Sequence, residues 1–354
     1  MTSRLLPFLL PLLTLSSLSR AAFRPLNATM SKDHGIPTID FAKSHYDVEH
    51  CGKSTAGRAR RGFGDDYIDG LDFSVDDSGE AAVGEIPWAV AIITRIPGPA
   101  APRLCAGTLV SSRHVLSAAH CFARDDVIPT NFGHVRCKTG DHFDLNDFAD
   151  WSEVKYGGEC LHASDSSCAD STLQAKTAGI KNITLFPFFT EDCSRGSDLV
   201  IIELDRDVDV PHACLPHLHE LADVTLMANA TLPSFHTFAW GTDKSKELEK
   251  ASRLQKSGLT IKRDRCAKKT KFLSTDVLCA AKKMHIEQCL GESGAGLMAS
   301  TGGRTFLVGV LSSSSACAPG SQTGLDETRF TDVRLFSATI DRAIGTVGPL
   351  PDFS

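Results

Sequence analysis

The stretch that decides the interpretation of this sequence is CLGESGAGL, Cys289–Leu297. It places Ser293 in a turn between glycines, where the absence of side chains leaves room for another backbone to approach closely. Two stretches elsewhere complement it: VLSAAHC around His120 and SDLVIIEL around Asp198. A serine hydroxyl becomes a good nucleophile when an imidazole takes its proton and a carboxylate orients that imidazole. The chain order His120, Asp198, Ser293 therefore predicts a catalytic triad.

The sequence around these stretches has the texture of a β protein. From Ile86 onward, short runs such as IPWAVAIIT, TFLVGVLSS and TRFTDV are rich in Val, Ile, Leu, Phe and Thr and are separated by Gly, Pro, Asp and Ser. This pattern predicts an all-β sandwich or barrel. The stretch VRLFSATIDRAIG, residues 333–345, has apolar residues at helical spacing and predicts a C-terminal helix. The hydrophilic segment at about 133–195 predicts a long loop ordered by crosslinks.

Length, charge and the N-terminus limit the classes of function. The 354 residues suggest about two domains, and the net charge of -6 without a basic stripe argues against a nucleic-acid partner. Arg4 followed by an apolar run, residues 5–18, predicts a signal peptide over residues 1–22. That run is shorter than the roughly 20 residues needed to span a bilayer. We therefore expect a secreted protein without a membrane span, and the twelve cysteines predict disulfides.

Residues 23–74 are polar and low in apolar periodicity, which predicts a pro-segment or N-terminal extension. Within them, GRARRG contains Arg58, Arg60 and Arg61. Two interpretations of this basic run stay open: a solvated loop, or a processing site for a basic-specific protease. Glycosylation sequons occur at three positions, Asn27, Asn182 and Asn229.

Together, LSAAHC, SDLVIIEL and CLGESGAGL resemble the trypsin/chymotrypsin-type serine peptidases. GEIPWAVAI, FAWG and LVGVLSSSSAC resemble further motifs of that family in the same order. The resemblance covers residues 75–345 and leaves a short tail at 346–354. It implies two six-stranded antiparallel β-barrels, with a boundary near residues 215–235 and the triad in the cleft between them. The insertion that begins with VKYGGEC also resembles a nematode branch of these secreted peptidases.

The resemblance implies a role for each site residue. Ser293 would be the nucleophile, His120 the general base and then acid, and Asp198 the group that orients the imidazole. The backbone N–H groups of Gly291 and Ser293 would form the oxyanion hole. The family needs no metal or organic cofactor and acts on polypeptide substrates, and an activating protease or a protein inhibitor would be further partners.

The resemblance also implies a pairing of cysteines. Three family bridges would be Cys105–Cys121, Cys266–Cys279 and Cys289–Cys317, and Cys51–Cys214 would tie the pro-segment to the catalytic domain. The four cysteines of the long insertion allow three connectivities. We prefer Cys160–Cys168 with Cys137–Cys193.

The sequence departs from the family pattern in three places: the serine loop, the activation start and the substrate pocket. Glu292 stands where an aspartate of the family normally pairs with the N-terminal amine released by activation cleavage. The expected activation site, an Arg followed by an IVGG-like sequence, is absent. Glu287, at the position that sets pocket charge, favours a basic substrate side chain. Side chains at Ser312, Ser314 and Thr328, where the family usually has Trp or Gly, would instead narrow the substrate pocket. The substrate specificity therefore stays open.

Two functions of different classes remain. The complete set of catalytic groups favours a serine endopeptidase. The GESGAG loop, the missing activation start and the serine-filled cleft favour a protease-like protein with weak or no activity that binds or regulates another protein.

Overall fold

The structure is a computed structural model of the chain. The residues it describes are 44–56, 79–98, 101–124, 141–163, 168–189, 196–219, 234–240, 253–261, 274–282, 293–314 and 327–346.

The first of two sheets contains seven antiparallel strands. In spatial order they are β6 (Lys176–Ala178), β5 (Ser152–Tyr156), β2 (Ala89–Thr94), β3 (Arg103–Leu109), β4 (His114–Ser117), β8 (Val200–Leu204) and β7 (Ile180–Leu185). Strands β2 and β4 are buried at every position, which explains the almost continuously apolar sequence of β2, AVAIIT. The two edge strands of this sheet, β6 and β7, are consecutive in the chain and are separated by Gly179 alone. The two edges therefore lie close together, and the sheet curls into a half-barrel.

The second sheet closes on itself. Its strands, in spatial order, are β1 (Gly79–Glu80), β10 (Gln255–Ile261), β11 (Val277–Lys282), β14 (Glu327–Asp332), β13 (Arg304–Ser314), β12 (Gly296–Thr301) and β9 (Ser234–Ala239). Strand β9 also pairs with β10, for example Thr237 with Ser257, so six strands form a closed barrel. The short strand β1 extends that barrel at β10.

A continuous apolar core contains residues from both sheets, together with Trp88 just before β2 and Trp240 just after β9, each 1% exposed. The C-terminal helix α2 (Ser337–Ile344) follows a 3-10 turn at Val333–Phe336 and buries Ile340 and Ile344. It ends at Gly345, whose φ of 76° suits a left-handed helix cap. The predicted chymotrypsin-like β architecture with a C-terminal helix is confirmed.

The prediction of a long loop over residues 133–195 is wrong for the described part of that segment. It contains helix α1 (Leu145–Trp151) and strands β5, β6 and β7. Asp144 caps α1 by accepting hydrogen bonds from the N–H groups of Asn146 and Asp147, while Phe148 is buried. Within the described ranges, the helices are too short or too polar to cross a bilayer.

Candidate active site

His120 lies in a short turn that follows a buried strand. Strand β4 leads into a 3-10 turn, Ala119–Phe122, that carries the imidazole. The neighbouring Cys121 is bridged to Cys105 of β3, which fixes the turn against the sheet. The side chain of His120 is 27% exposed, so a substrate can reach it from solvent.

Asp198 lies just before β8 and is 3% exposed. Its Oδ2 is 2.8 Å from Nδ1 of His120, and its Oδ1 accepts the backbone N–H of His120 at 2.9 Å. An ionised carboxylate only accepts hydrogen bonds, so Nδ1 carries the proton in this pair. The other ring nitrogen of His120, Nε2, is then left with a free lone pair, as a general base requires.

The electrostatic environment of His120 favours its charged form. Burial alone would lower the pKa of the imidazole, but the negative charge of Asp198 and the hydrogen bond to it outweigh burial. The pKa of His120 is therefore raised above its ordinary value of 6.5. A raised pKa gives the free lone pair a stronger attraction for a proton, which suits a group that must deprotonate an alcohol.

Ser293 is held against the first sheet by its backbone. Its C=O accepts a hydrogen bond from the N–H of Ala106 in β3 at 2.7 Å. The next residue, Gly294, donates its N–H to the C=O of Leu311 at 2.9 Å and has a φ of 84°. A Cβ at residue 294 would lie 2.2 Å from Oγ of Ser117 and 2.3 Å from the C=O of Ala106. Only glycine fits this position, so the glycine after the serine is a requirement of packing.

The structure brings His120 and Asp198 into hydrogen-bonding contact and anchors the backbone of Ser293 to β3. Among the described residues, no hydrogen bond joins the hydroxyl of Ser293 to the imidazole of His120. In enzymes without bound substrate, catalytic hydrogen bonds of this kind are often long and shorten in the substrate complex.

Ser312 makes a contact that the sequence analysis did not expect. Its hydroxyl donates to Oδ2 of Asp198 at 2.5 Å. Its place in the substrate pocket stays a prediction. The hydroxyl of Thr331 also donates to the backbone C=O of Asp198, at 3.1 Å. The run of four serines that begins at Ser312 has no periodicity to indicate which hydroxyl faces Asp198, so sequence reasoning missed this donor.

The other predicted site residues divide between described and undescribed regions. Thr328 of β14 is fully buried, and its backbone pairs with those of Ala280 and Ser314 on the neighbouring strands. Asn182 is exposed on β7. The remaining positions lie outside the described residues: Glu287, Gly291, Glu292, Asn27 and Asn229.

Three of the expected disulfides are present: Cys51–Cys214, Cys105–Cys121 and Cys160–Cys168. Cys279 is also disulfide-bonded, and its predicted partner, Cys266, lies outside the described residues. The predicted pairs Cys289–Cys317 and Cys137–Cys193 lie outside them as well. Cys51, Cys214 and His219 come close enough to suggest a metal site, but both sulfurs are in the disulfide and cannot act as thiolate ligands.

Comparison with known proteins gives a consistent result. The family model described as Trypsin matches residues 77–156 and 158–335, well over half of the chain. The chain is 28% identical to "Trypsin-like protease try-5" of Caenorhabditis elegans, over 65% of this chain and 74% of that protein. It is 26% identical to "Phenoloxidase-activating factor 3" of Holotrichia diomphalia, over 70% and 66%. It is 25% identical to "CLIP domain-containing serine protease B4" of Anopheles gambiae, over 65% and 60%. The chain therefore spans about two thirds or less of the length of the two insect relatives.

Proposed function

We propose that this chain, which belongs to the trypsin family of serine peptidases, is an endopeptidase that hydrolyses peptide bonds through an acyl-enzyme on Ser293. The observation that carries the proposal is the 2.8 Å hydrogen bond between His120 and Asp198. It fixes the tautomer in which Nε2 of His120 can accept a proton, in the same part of the molecule that holds Ser293.

In the first step, Nε2 of His120 takes the hydroxyl proton of Ser293 as Oγ attacks the substrate carbonyl. His120 then gives that proton to the leaving amine, and the acyl group stays on Ser293. In the second step, His120 takes a proton from water, which attacks the acyl group, and returns a proton to Ser293. Asp198 stays ionised throughout and stabilises the imidazolium. The N–H groups of Gly291 and Ser293 are the proposed oxyanion donors.

The proposal includes export and maturation. Residues 1–22 are the proposed signal peptide, 23–74 the pro-segment and 75–345 the peptidase domain, followed by the tail at 346–354. The Cys51–Cys214 bridge supports this division, because it joins the N-terminal segment to the core of the family domain. The substrate is a polypeptide, and Asn182, exposed on β7, is the described candidate for glycosylation.

A second function, a weakly active or inactive homologue that binds or regulates another protein, is supported by one observation. Among the described residues, the hydroxyl of Ser293 makes no hydrogen bond with His120. If that separation persists when a substrate binds, His120 cannot take the proton from Ser293. The two functions therefore differ in whether Ser293 reacts.

A fluorophosphonate probe distinguishes them, because it phosphonylates only an activated serine. We expect the secreted full-length chain to be labelled after limited proteolysis and Ser293→Ala to stay unlabelled. Asp198→Asn is the matched variant, because it preserves the shape of the side chain but places the imidazole proton of His120 on Nε2 instead of Nδ1. Labelling of Asp198→Asn should be slower by about 10⁴-fold. If no processing condition gives labelling that depends on Ser293, the endopeptidase proposal is wrong and the binding function is favoured.

The pH dependence of peptide hydrolysis is a second test of the proposed function. His120 acts as a base only when neutral, so kcat/KM should rise with pH as the imidazole loses its proton. Because Asp198 raises the pKa of His120, the midpoint of this rise should lie above 6.5.

A further inference from the structure

The backbone immediately before Asp198 has an unusual conformation. Gly196 has a φ of 95° and Ser197 a φ of 60°. Among the residues that the structure describes, Ser197 is the only one other than glycine that has a positive φ. Serine has a Cβ that disfavours this left-handed region, so some contact must hold Ser197 there.

That contact is a buried carboxylate. Oδ2 of Asp276 accepts the backbone N–H of Ser197 at 2.6 Å, and Asp276 is only 7% exposed. Asp276 is itself fixed, because its C=O accepts the N–H of Asp332 at 2.7 Å, which ties it to the end of β14.

The packing of Gly196 shows how closely the carboxylate fits this backbone. A Cβ at residue 196 would lie 2.1 Å from Oδ1 and 2.5 Å from Oδ2 of Asp276. Oδ1 is buried and has no hydrogen-bond partner within the described ranges. Burying an unpaired carboxylate oxygen is unfavourable. Within the described ranges, Oδ2 is therefore the hydrogen-bonded oxygen of Asp276, and its donor is the N–H of Ser197.

The contact crosses from one sheet to the other. Asp276 precedes β11 of the closed barrel, whereas Ser197 and Asp198 lead into β8 of the first sheet. Asp198 must direct one oxygen at the ring of His120 and the other at the backbone of that residue. Its carboxylate can do so only if its own backbone enters β8 at the correct angle, and the left-handed residue before it sets that angle.

We propose that Asp276 is a positioning residue: by holding Ser197 in the left-handed conformation, it directs the carboxylate of Asp198 at His120. The inference rests on the proposed function, because it concerns the group that orients the general base. The alternative is that Asp276 contributes only to folding stability. The two differ in whether Asp276 affects the protonation of His120.

Three variants separate these roles. Asp276→Ala removes the acceptor, so Ser197 relaxes and Asp198 turns away from His120. We expect kcat to fall by roughly 10- to 100-fold, with a smaller change in KM. Asp276→Asn keeps an oxygen that can accept the N–H of Ser197 and should stay close to wild type. Adding Ser197→Gly to Asp276→Ala should restore much of the rate, because glycine adopts positive φ without strain.

The decisive readout does not need turnover. In protein labelled with ¹⁵N-histidine, the resonance of His120 is assigned by its loss in His120→Gln, and its pKa is measured by titration. With Asp198 displaced, burial lowers this pKa without opposition, so it should fall in Asp276→Ala and recover in the double variant. A wild-type protein that the fluorophosphonate does not label under any processing condition would refute the proposed function, while the titration would still test the positioning role.

An unchanged pKa of His120 in Asp276→Ala would overturn the proposal, even if that variant melted at a lower temperature. Should Asp276→Ala fail to fold, Ser197→Val gives an independent test with Asp276 in place. A β-branched residue resists positive φ, so Ser197→Val should lower both kcat and the pKa of His120. A folded Ser197→Val with a wild-type pKa would equally refute the positioning role.

Discussion

Three donors converge on the carboxylate of Asp198. Its carboxylate accepts from the backbone and the ring of His120, and Ser312 adds a hydroxyl donor to the oxygen that faces the ring. A buried carboxylate needs such donors to remain ionised. The unexpected contact of Ser312 therefore has a physical role in stabilising the charge that orients the imidazole.

Replacing Ser312 with alanine tests this role. Ser312→Ala removes a hydrogen bond to a charged group, so the free energy of unfolding should fall by about 1.5 to 3 kcal/mol. The two bonds from His120 remain, so kcat should fall by no more than about tenfold, far less than the 10⁴-fold expected for Asp198→Asn. Thermal unfolding and steady-state kinetics measure these effects.

Ser313→Ala is the matched control for stability, because the neighbouring hydroxyl makes no side-chain hydrogen bond among the described residues. Its melting temperature and the pKa of His120 should match those of wild type. Equal destabilisation by Ser312→Ala and Ser313→Ala would show that the bond from Ser312 to Asp198 contributes nothing measurable.

At the scale of elements, a buried ion pair joins β10 to the turn that precedes β2. Nζ of Lys256 lies 2.5 Å from Oε1 of Glu85, and the two side chains are 6% and 9% exposed. Oε2 of Glu85 also accepts the N–H of Ala82 at 2.7 Å. The pair fixes the segment between β1 and β2 on the closed barrel.

Lys256→Met should destabilise the protein by about 3 to 5 kcal/mol, because it leaves the carboxylate of Glu85 buried without its cation. Lys256→Met combined with Glu85→Gln should recover most of that loss, since Gln is neutral and still accepts the N–H of Ala82. Chemical denaturation of both variants measures the difference. A double variant no more stable than Lys256→Met alone would contradict the charge argument.

The elements also show what the sequence could predict. The motifs around His120 and Asp198 correctly indicated their strands, because local apolar runs and flanking turn residues specify β structure. The prediction for the segment before β8 was wrong: Val154 and Tyr156 are buried in β5, which lies between β2 and β6 in the sheet, and β2 is distant in sequence. Such a pairing is set by tertiary contacts and leaves a weak local pattern.

The same limit applies to the candidate site. His120, Asp198 and Ser293 lie in motifs with recognisable neighbours, so their candidacy follows from sequence. Asp276 acts through a single hydrogen bond to a backbone N–H that is distant in sequence. No residue pattern around Asp276 predicts that bond, and only the coordinates of both sheets could reveal it.

At the scale of the whole molecule, the N-terminal segment 44–56 is bound to the domain by more than its disulfide. Arg304 donates to the C=O groups of Val48 and Glu49, and the N–H groups of Thr55 and Ala56 both donate to the C=O of Gly84. Cutting the chain after this segment would therefore leave it in place. The segment is a structural part of the domain surface.

Two histidines of the domain make this attachment sensitive to acid. The N–H of Asp47 donates to Nε2 of His212 at 2.9 Å, and the hydroxyl of Tyr46 lies 2.9 Å from Nε2 of His219. A backbone N–H can only donate, so His212 must be neutral in this arrangement. Burial lowers the pKa of His212, and burial followed by the charge of Arg304 lowers the pKa of His219 to about 4.

The sign of the pH effect follows from these lowered values. The folded state favours the neutral imidazoles of His212 and His219. Their contribution to the attachment of residues 44–56 is therefore fully present above the unfolded pKa of about 6.5 and is lost as the pH falls towards 4. We expect amide hydrogen exchange in residues 44–56 to accelerate relative to the core over that range, with Cys51–Cys214 intact.

The double variant His212→Gln with His219→Gln has no imidazole at either position, so the exchange of residues 44–56 relative to the core should be independent of pH. His50→Gln is the matched control, because His50 is exposed in the same segment, and it should keep the wild-type response. Protection that stays constant from pH 6.5 to 4 in the wild type would show that the two buried histidines do not govern docking.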